Sequence, residues 1–69
     1  MLFRSARDSV RRARHEIARL SPTLRDTLLL AASGEYTYEQ IAHMLDAPLG
    51  TIKWRVAEAR RRLSERLDR

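Results

Sequence analysis

A chain of 69 residues with a net charge of +5 and no cysteine is one small domain at most, with neither a disulfide framework nor a thiolate metal site to support it. Such a chain buries only about 60% of its unfolded surface, so the core is thin and stability must come from helix packing, or partly from a partner. No apolar run approaches the ~20 residues of a membrane span. Arg4 and Arg7 interrupt the start where a signal peptide needs an apolar stretch, so we expect a soluble, cytoplasmic protein with no membrane partner.

The composition is rich in Ala, Leu, Arg and Glu, with two Gly and two Pro, which predicts an all-α fold. The first helix is expected over residues 3–20. Phe3, Ala6, Val10, Ala13, Ile17 and Leu20 recur at spacings of three and four, which makes one narrow apolar stripe. Arginines fill the other faces. The stripe suits a helix that closes a core. It is too narrow and Ala-rich for a helix lying on a membrane surface.

The second helix starts at Ser21-Pro22, an N-cap serine followed by a proline at the first helical position. Leu24, Leu28 and Ala31 form its inner face, and Gly34 ends it as a left-handed cap. The third helix is short, about 38–45. Thr37 is its N-cap, Glu39 and Gln40 lie in its first turn, and Ile41 and Leu45 face inward. The connection Asp46-Ala47-Pro48 is tight, and aspartate there tolerates a left-handed backbone better than most residues. The fourth helix runs from near Leu49 or Thr51 to about Leu67, with Ile52, Val56, Ala59, Leu63 and Leu67 on its buried stripe.

Charge is segregated along these elements. Residues 1–20 carry six arginines against Asp8 and Glu16. Residues 21–50 carry Arg25 against Asp26, Glu35, Glu39 and Asp46. Residues 51–69 carry seven basic side chains against three acidic ones. Basic ends around an acidic middle suit a polyanion on one surface and a different partner on another, or simply a solvated Arg-rich surface.

A short helix, a tight turn and a second helix with a basic exposed face form a helix-turn-helix pattern. Here it reads TYEQIAHMLDAPLGTIKWRV, residues 37–56. Ala42 supplies the small side chain that a close helix crossing needs. Ile41, Leu45, Ile52 and Val56 would lock the pair at one angle. The first turn of the second helix is then presented to a major groove, with Thr51, Lys53, Trp54 and Arg55 on or near it. Trp54 points away from the face that Ile52 and Val56 define, so it is expected outside the core. His15 and His43 have no ligand partner at metal spacing and are expected at the surface. The chain has no paired carboxylates with a base, no phosphate loop and no metal cluster, so we expect no enzyme activity and no cofactor.

The segment LSPTLRDTLLLAASGEYTYEQIAHMLDAPLGTIKWRVAEARRRL, residues 20–63, resembles region 4 of the extracytoplasmic-function sigma factors of bacterial RNA polymerase. The matching pieces are L-x-P-x-x-R-x-x-L-L-L at Leu20–Leu30, the Gly34 break, T-Y-E-Q-I-A at Thr37–Ala42, and P-L-G-T-I-K-x-R-V-x-x-A-R at Pro48–Arg60. The last piece is the most specific and separates the chain from response-regulator domains. The likeness extends over about residues 8–67.

The resemblance implies a single domain over residues 1–69, a four-helix fold of the winged-helix-like DNA-binding superfamily. It implies reading of the promoter −35 element in double-stranded DNA, contact with the flap of the polymerase β subunit, and often an anti-sigma factor over the same surfaces. Lys53 and Arg55 match basic family positions, and Lys53 would touch a base edge or a phosphate. Gly50 and Thr51 match a helix start that can hold a phosphate. Arg25 and Tyr38 match positions suited to backbone contact. Ala57 lies in the same stretch and completes the candidate DNA-contacting set. Two positions depart from the family pattern. Trp54 stands where a small serine is usual, and could pack on a thymine methyl, a sugar edge or a protein partner. Glu58 stands where a basic residue is usual; it would repel phosphate or accept from a cytosine amine. The alternative reading is a free-standing module that binds an anti-sigma factor or the β flap, with Trp54 as anchor and Leu29 and Leu30 as exposed apolar support.

Overall fold

The computed structural model describes residues 6–67, with side-chain burial from Asp8 onward. Four helices follow one another: α1 (Ala6–Arg19), α2 (Pro22–Ala32), α3 (Tyr38–Met44) and α4 (Leu49–Leu67). The domain is all-α, as expected. Phe3 and the side chain of Ala6, at the head of the predicted α1 stripe, lie outside the described residues.

The local signals explain the boundaries. The Ser21 side chain accepts from the Leu24 N–H at 3.3 Å, and Pro22 opens α2. Gly34, at φ +76°, follows the end of α2 in the left-handed region, where a side chain would be strained. Thr37 and Gln40 form a reciprocal capping box. The Thr37 hydroxyl accepts from the Gln40 N–H at 3.1 Å, and the Gln40 amide oxygen accepts from the Thr37 N–H at 2.8 Å.

The end of α3 closes as a Schellman motif. The Ala47 N–H donates to the Ala42 carbonyl at 2.9 Å, and the Asp46 N–H donates to the His43 carbonyl at 3.3 Å. Asp46 takes the left-handed position at φ +53°. This motif sets the angle at which the chain leaves α3 and enters α4.

Every other helix packs on α4. Its inner stripe, Ile52, Val56 and Ala59, is buried. Toward its C-terminal half, Ala59 joins Leu20, Leu24 and Leu28 in one cluster, with Ile17 and Leu63 packed against it. Toward its N-terminal half, Ile52 and Val56 are fully buried together with Ile41 of α3 and Thr27 of α2. Thr27 is the one buried polar side chain among the described residues, and it is satisfied locally, donating to the Thr23 carbonyl at 2.8 Å.

Helix α1 runs antiparallel to the far end of α4. Arg12 donates to the Leu67 carbonyl at 3.5 Å, and Arg66 approaches Glu16 at 3.4 Å. This geometry corrects one expectation. Val10, placed on the inner stripe by its spacing, is 51% exposed. The described part of α4 ends at Leu67, whose carbonyl the Arg12 guanidinium reaches, and the described residues leave Val10 uncovered. The described helices include none long and apolar enough to cross a membrane.

Candidate nucleic-acid interface

The candidate interface lies at the start of α4. Ser21 caps α2 and Thr37 caps α3, whereas Pro48 precedes α4 and offers no capping side chain. The Ile52 N–H is the first to be satisfied within the helix, donating to the Pro48 carbonyl at 3.1 Å. The N–H groups of Leu49, Gly50 and Thr51 therefore belong to the unsatisfied first turn, at the positive end of a 19-residue helix. A phosphate oxygen is a natural acceptor there.

Gly50 sits in this turn with no positive φ, and a Cβ built on it would meet nothing within 4 Å. Neither backbone conformation nor internal packing requires a glycine at this position. One turn on, Trp54 is 61% exposed, the most exposed large apolar side chain among the described residues. It is outside the core, as expected. Lys53 is exposed beside it and Arg55 is half-buried.

Arg55 shares a shallow concavity with Pro22, Thr23, Asp26 and Leu45, so the start of α2 and the end of α3 border that side of the surface. Lys53 and Arg55 form no ion pair among the described residues. Arg25 is partly engaged, its Nε lying 3.3 Å from the adjacent Asp26 carboxylate. Tyr38 is the first residue of α3 and half-buried. Ala57 is exposed on α4. The structure thus gathers Gly50, Thr51, Lys53, Trp54, Arg55, Ala57 and Glu58 on one helix, with Arg25 and Tyr38 on its neighbours.

Glu58 differs from a carboxylate held out toward a partner. Its side chain is only 15% exposed. Its Oε1 accepts from Arg61 Nε at 3.1 Å, and its Oε2 accepts from Arg61 Nη2 and Arg62 Nε, both at 2.8 Å. Hydrogen bonds from Arg61, then Arg62, hold this carboxyl well below its ordinary value of 4.5, at about 2. Arg61 also reaches Glu65 one turn on, and the Glu58 contact raises the Arg61 guanidinium above its usual value.

Arg60, Arg61 and Arg62 follow on the same helix, all exposed. The basic positions Lys53 and Arg55 have basic counterparts seven residues on, at Arg60 and Arg62, with Arg61 behind Trp54. Seven residues are about two helical turns, so each member of the second set lies behind its counterpart, about 10 Å along the axis.

His15 and His43 are exposed, and no three acidic or histidine side chains among the described residues gather as a metal site.

Compared with known proteins, residues 10–63 match the family model described as sigma-70, region 4. No curated protein and no solved structure matches the chain.

Proposed function

We propose, from the premise that this chain belongs to the sigma-70 region 4 family, that it is the −35-reading module of an extracytoplasmic-function type sigma factor, acting in the cytoplasm on duplex promoter DNA. It is a binding module rather than an enzyme. The observation that carries the reading is the start of α4: an uncapped helix N-terminus followed at once by Lys53, Trp54 and Arg55 outside the core. The first turn enters the major groove. Gly50 and Thr51 hold a phosphate through backbone N–H groups and a hydroxyl. Lys53 contacts a base edge or a phosphate, Arg55 a flanking phosphate. Trp54 packs on a thymine methyl or a sugar edge. Arg25 and Tyr38 steady the duplex from α2 and α3, and Ala57 leaves room beside them. The polymerase β flap is the protein partner this role requires.

A second reading rests on Trp54 at 61% and Leu29 at 48% exposed. Two apolar side chains on different helices suit a protein partner, such as an anti-sigma factor, with Trp54 as its anchor.

The test is binding of a labelled −35-type duplex by fluorescence anisotropy, wild type against Lys53→Ala. Loss of one cationic contact flattens the log–log salt dependence by about 0.9 and weakens binding. Unchanged affinity and slope would remove α4 from the DNA and leave the protein-partner reading.

A further inference from the structure

Two basic crescents lie on α4. Lys53-Trp54-Arg55 occupies its second turn, and Arg60-Arg61-Arg62 lies behind it, about 10 Å along the axis. A major groove is about 12 Å wide. With the first crescent in the groove, the second stands at the phosphate strand that borders it. Three arginines there would add strong attraction for any duplex, whatever its sequence.

Glu58 stands between the crescents and engages two of the three arginines. It receives both Arg61 Nε and Arg61 Nη2, a two-pronged contact of the kind a phosphate makes, and Arg62 Nε as well. Arg61 is shared onward with Glu65. Glu58, Arg61, Arg62 and Glu65 together carry no formal charge. Arg60 forms no ion pair among the described residues.

We propose that Glu58 is a specificity-determining positioning residue, which holds Arg61 and Arg62 away from phosphate and so suppresses sequence-independent DNA binding. Exposed ion pairs are individually weak, so the two arginines can exchange partners. Exchange would leave a bare carboxylate facing the phosphate strand, and that repulsion is what disfavours it. The discrimination made by the first crescent then forms a larger share of the binding free energy. This inference rests on the DNA-reading function above.

The test compares wild type, Glu58→Gln and Glu65→Gln. Each is titrated with a −35-type duplex and a scrambled duplex over a range of salt concentrations, with folding checked by circular dichroism. Glu58→Gln keeps the side-chain shape and releases up to two cations. The expected result is a log–log salt slope steeper by about 0.9–1.8 on both duplexes. Affinity for the scrambled duplex rises by up to about tenfold per released contact near 0.1 M salt. The ratio between the two duplexes falls. Glu65→Gln, which frees only part of Arg61, changes the slope less.

A readout without DNA accompanies this. In the free wild-type protein, the Nε–H signals of Arg61 and Arg62 should be slowed in exchange with water, and Glu58→Gln should return them to the Arg60 rate. If wild type binds DNA and Glu58→Gln leaves the slope unchanged, the inference fails while the function stands. If Glu58→Gln lowers affinity for the −35-type duplex alone, Glu58 reads a base and the inference is overturned. If none of the proteins binds either duplex, the function itself fails and the inference with it.

Discussion

Replacing Gly50 with alanine should strengthen the fold and weaken DNA binding. The glycine lies in the first turn of α4 with no left-handed backbone, and an added Cβ meets nothing within 4 Å. Alanine therefore fits without strain. It removes the entropy that glycine loses on entering a helix, about 0.5–1 kcal/mol. For a domain of this size that raises Tm by about 2–8 °C. If the fold has no use for the glycine, the close approach of a phosphate to the Gly50 backbone does. A methyl group at that point lengthens the contact and costs about one charge-assisted hydrogen bond, roughly 1.5 kcal/mol or about tenfold in affinity. The assay pairs thermal unfolding by circular dichroism with duplex titration on one protein sample. Two results would refute the reasoning. A lower Tm would mean that the fold requires the glycine. A higher Tm with undiminished DNA binding would mean that no phosphate approaches the backbone there.

Three further predictions concern the core, the pH response and the tryptophan. Ile41→Ala removes a fully buried side chain where α3 meets α4 and should cost about 2–5 kcal/mol. Loss of the cooperative thermal transition, or a much reduced urea midpoint, is the expected observation. The Glu58 carboxyl is depressed in the folded chain, from 4.5 to about 2. Its contribution is therefore complete above pH 4.5 and is lost as pH falls toward 2. Wild type should exceed Glu58→Gln in urea midpoint at pH 7, and the gap should narrow as pH falls from 4.5 and close below pH 2. Trp54→Ala should move stability by less than about 0.5 kcal/mol, because the indole is mostly in solvent. It should reduce discrimination between −35-type and scrambled duplexes, measured as the ratio of their affinities.

Helix order and helix ends were legible because capping chemistry is local. Ser21-Pro22, Gly34 and the Thr37–Gln40 pair each act within a few residues, and each does in the structure what its type suggests. The α4 stripe was legible for the same reason, since Ile52, Val56 and Ala59 recur at helical spacing over a helix with partners along its length. Val10 was misplaced because periodicity names a face and says nothing of how far the opposing helix extends. Leu29 and Leu30 were both read as exposed. Leu29 is, whereas Leu30, one step round the helix, is half-buried.

Thr27, which the apolar pattern of α2 does not include, is fully buried. An acceptor in its own helix, the Thr23 carbonyl, removes the cost of burying its hydroxyl. Glu58 was read by its charge alone. Arg61 and Arg62 stand three and four residues on, the spacing at which helical side chains meet, so its engagement was available from the sequence. The lesson in both cases is that a polar residue's neighbours on its own helix decide what it presents to solvent.

The most direct test of the account is the fluorescence of Trp54, the only tryptophan in the chain, during titration with a −35-type duplex and a scrambled one at two salt concentrations. The account predicts a saturable change that favours the −35-type duplex and weakens steeply with salt, since each phosphate contact contributes about −0.9 to the log–log slope. A signal that stays flat with both duplexes, in a protein that circular dichroism shows to be folded, would contradict it and turn the search to a protein partner with Trp54 as its anchor.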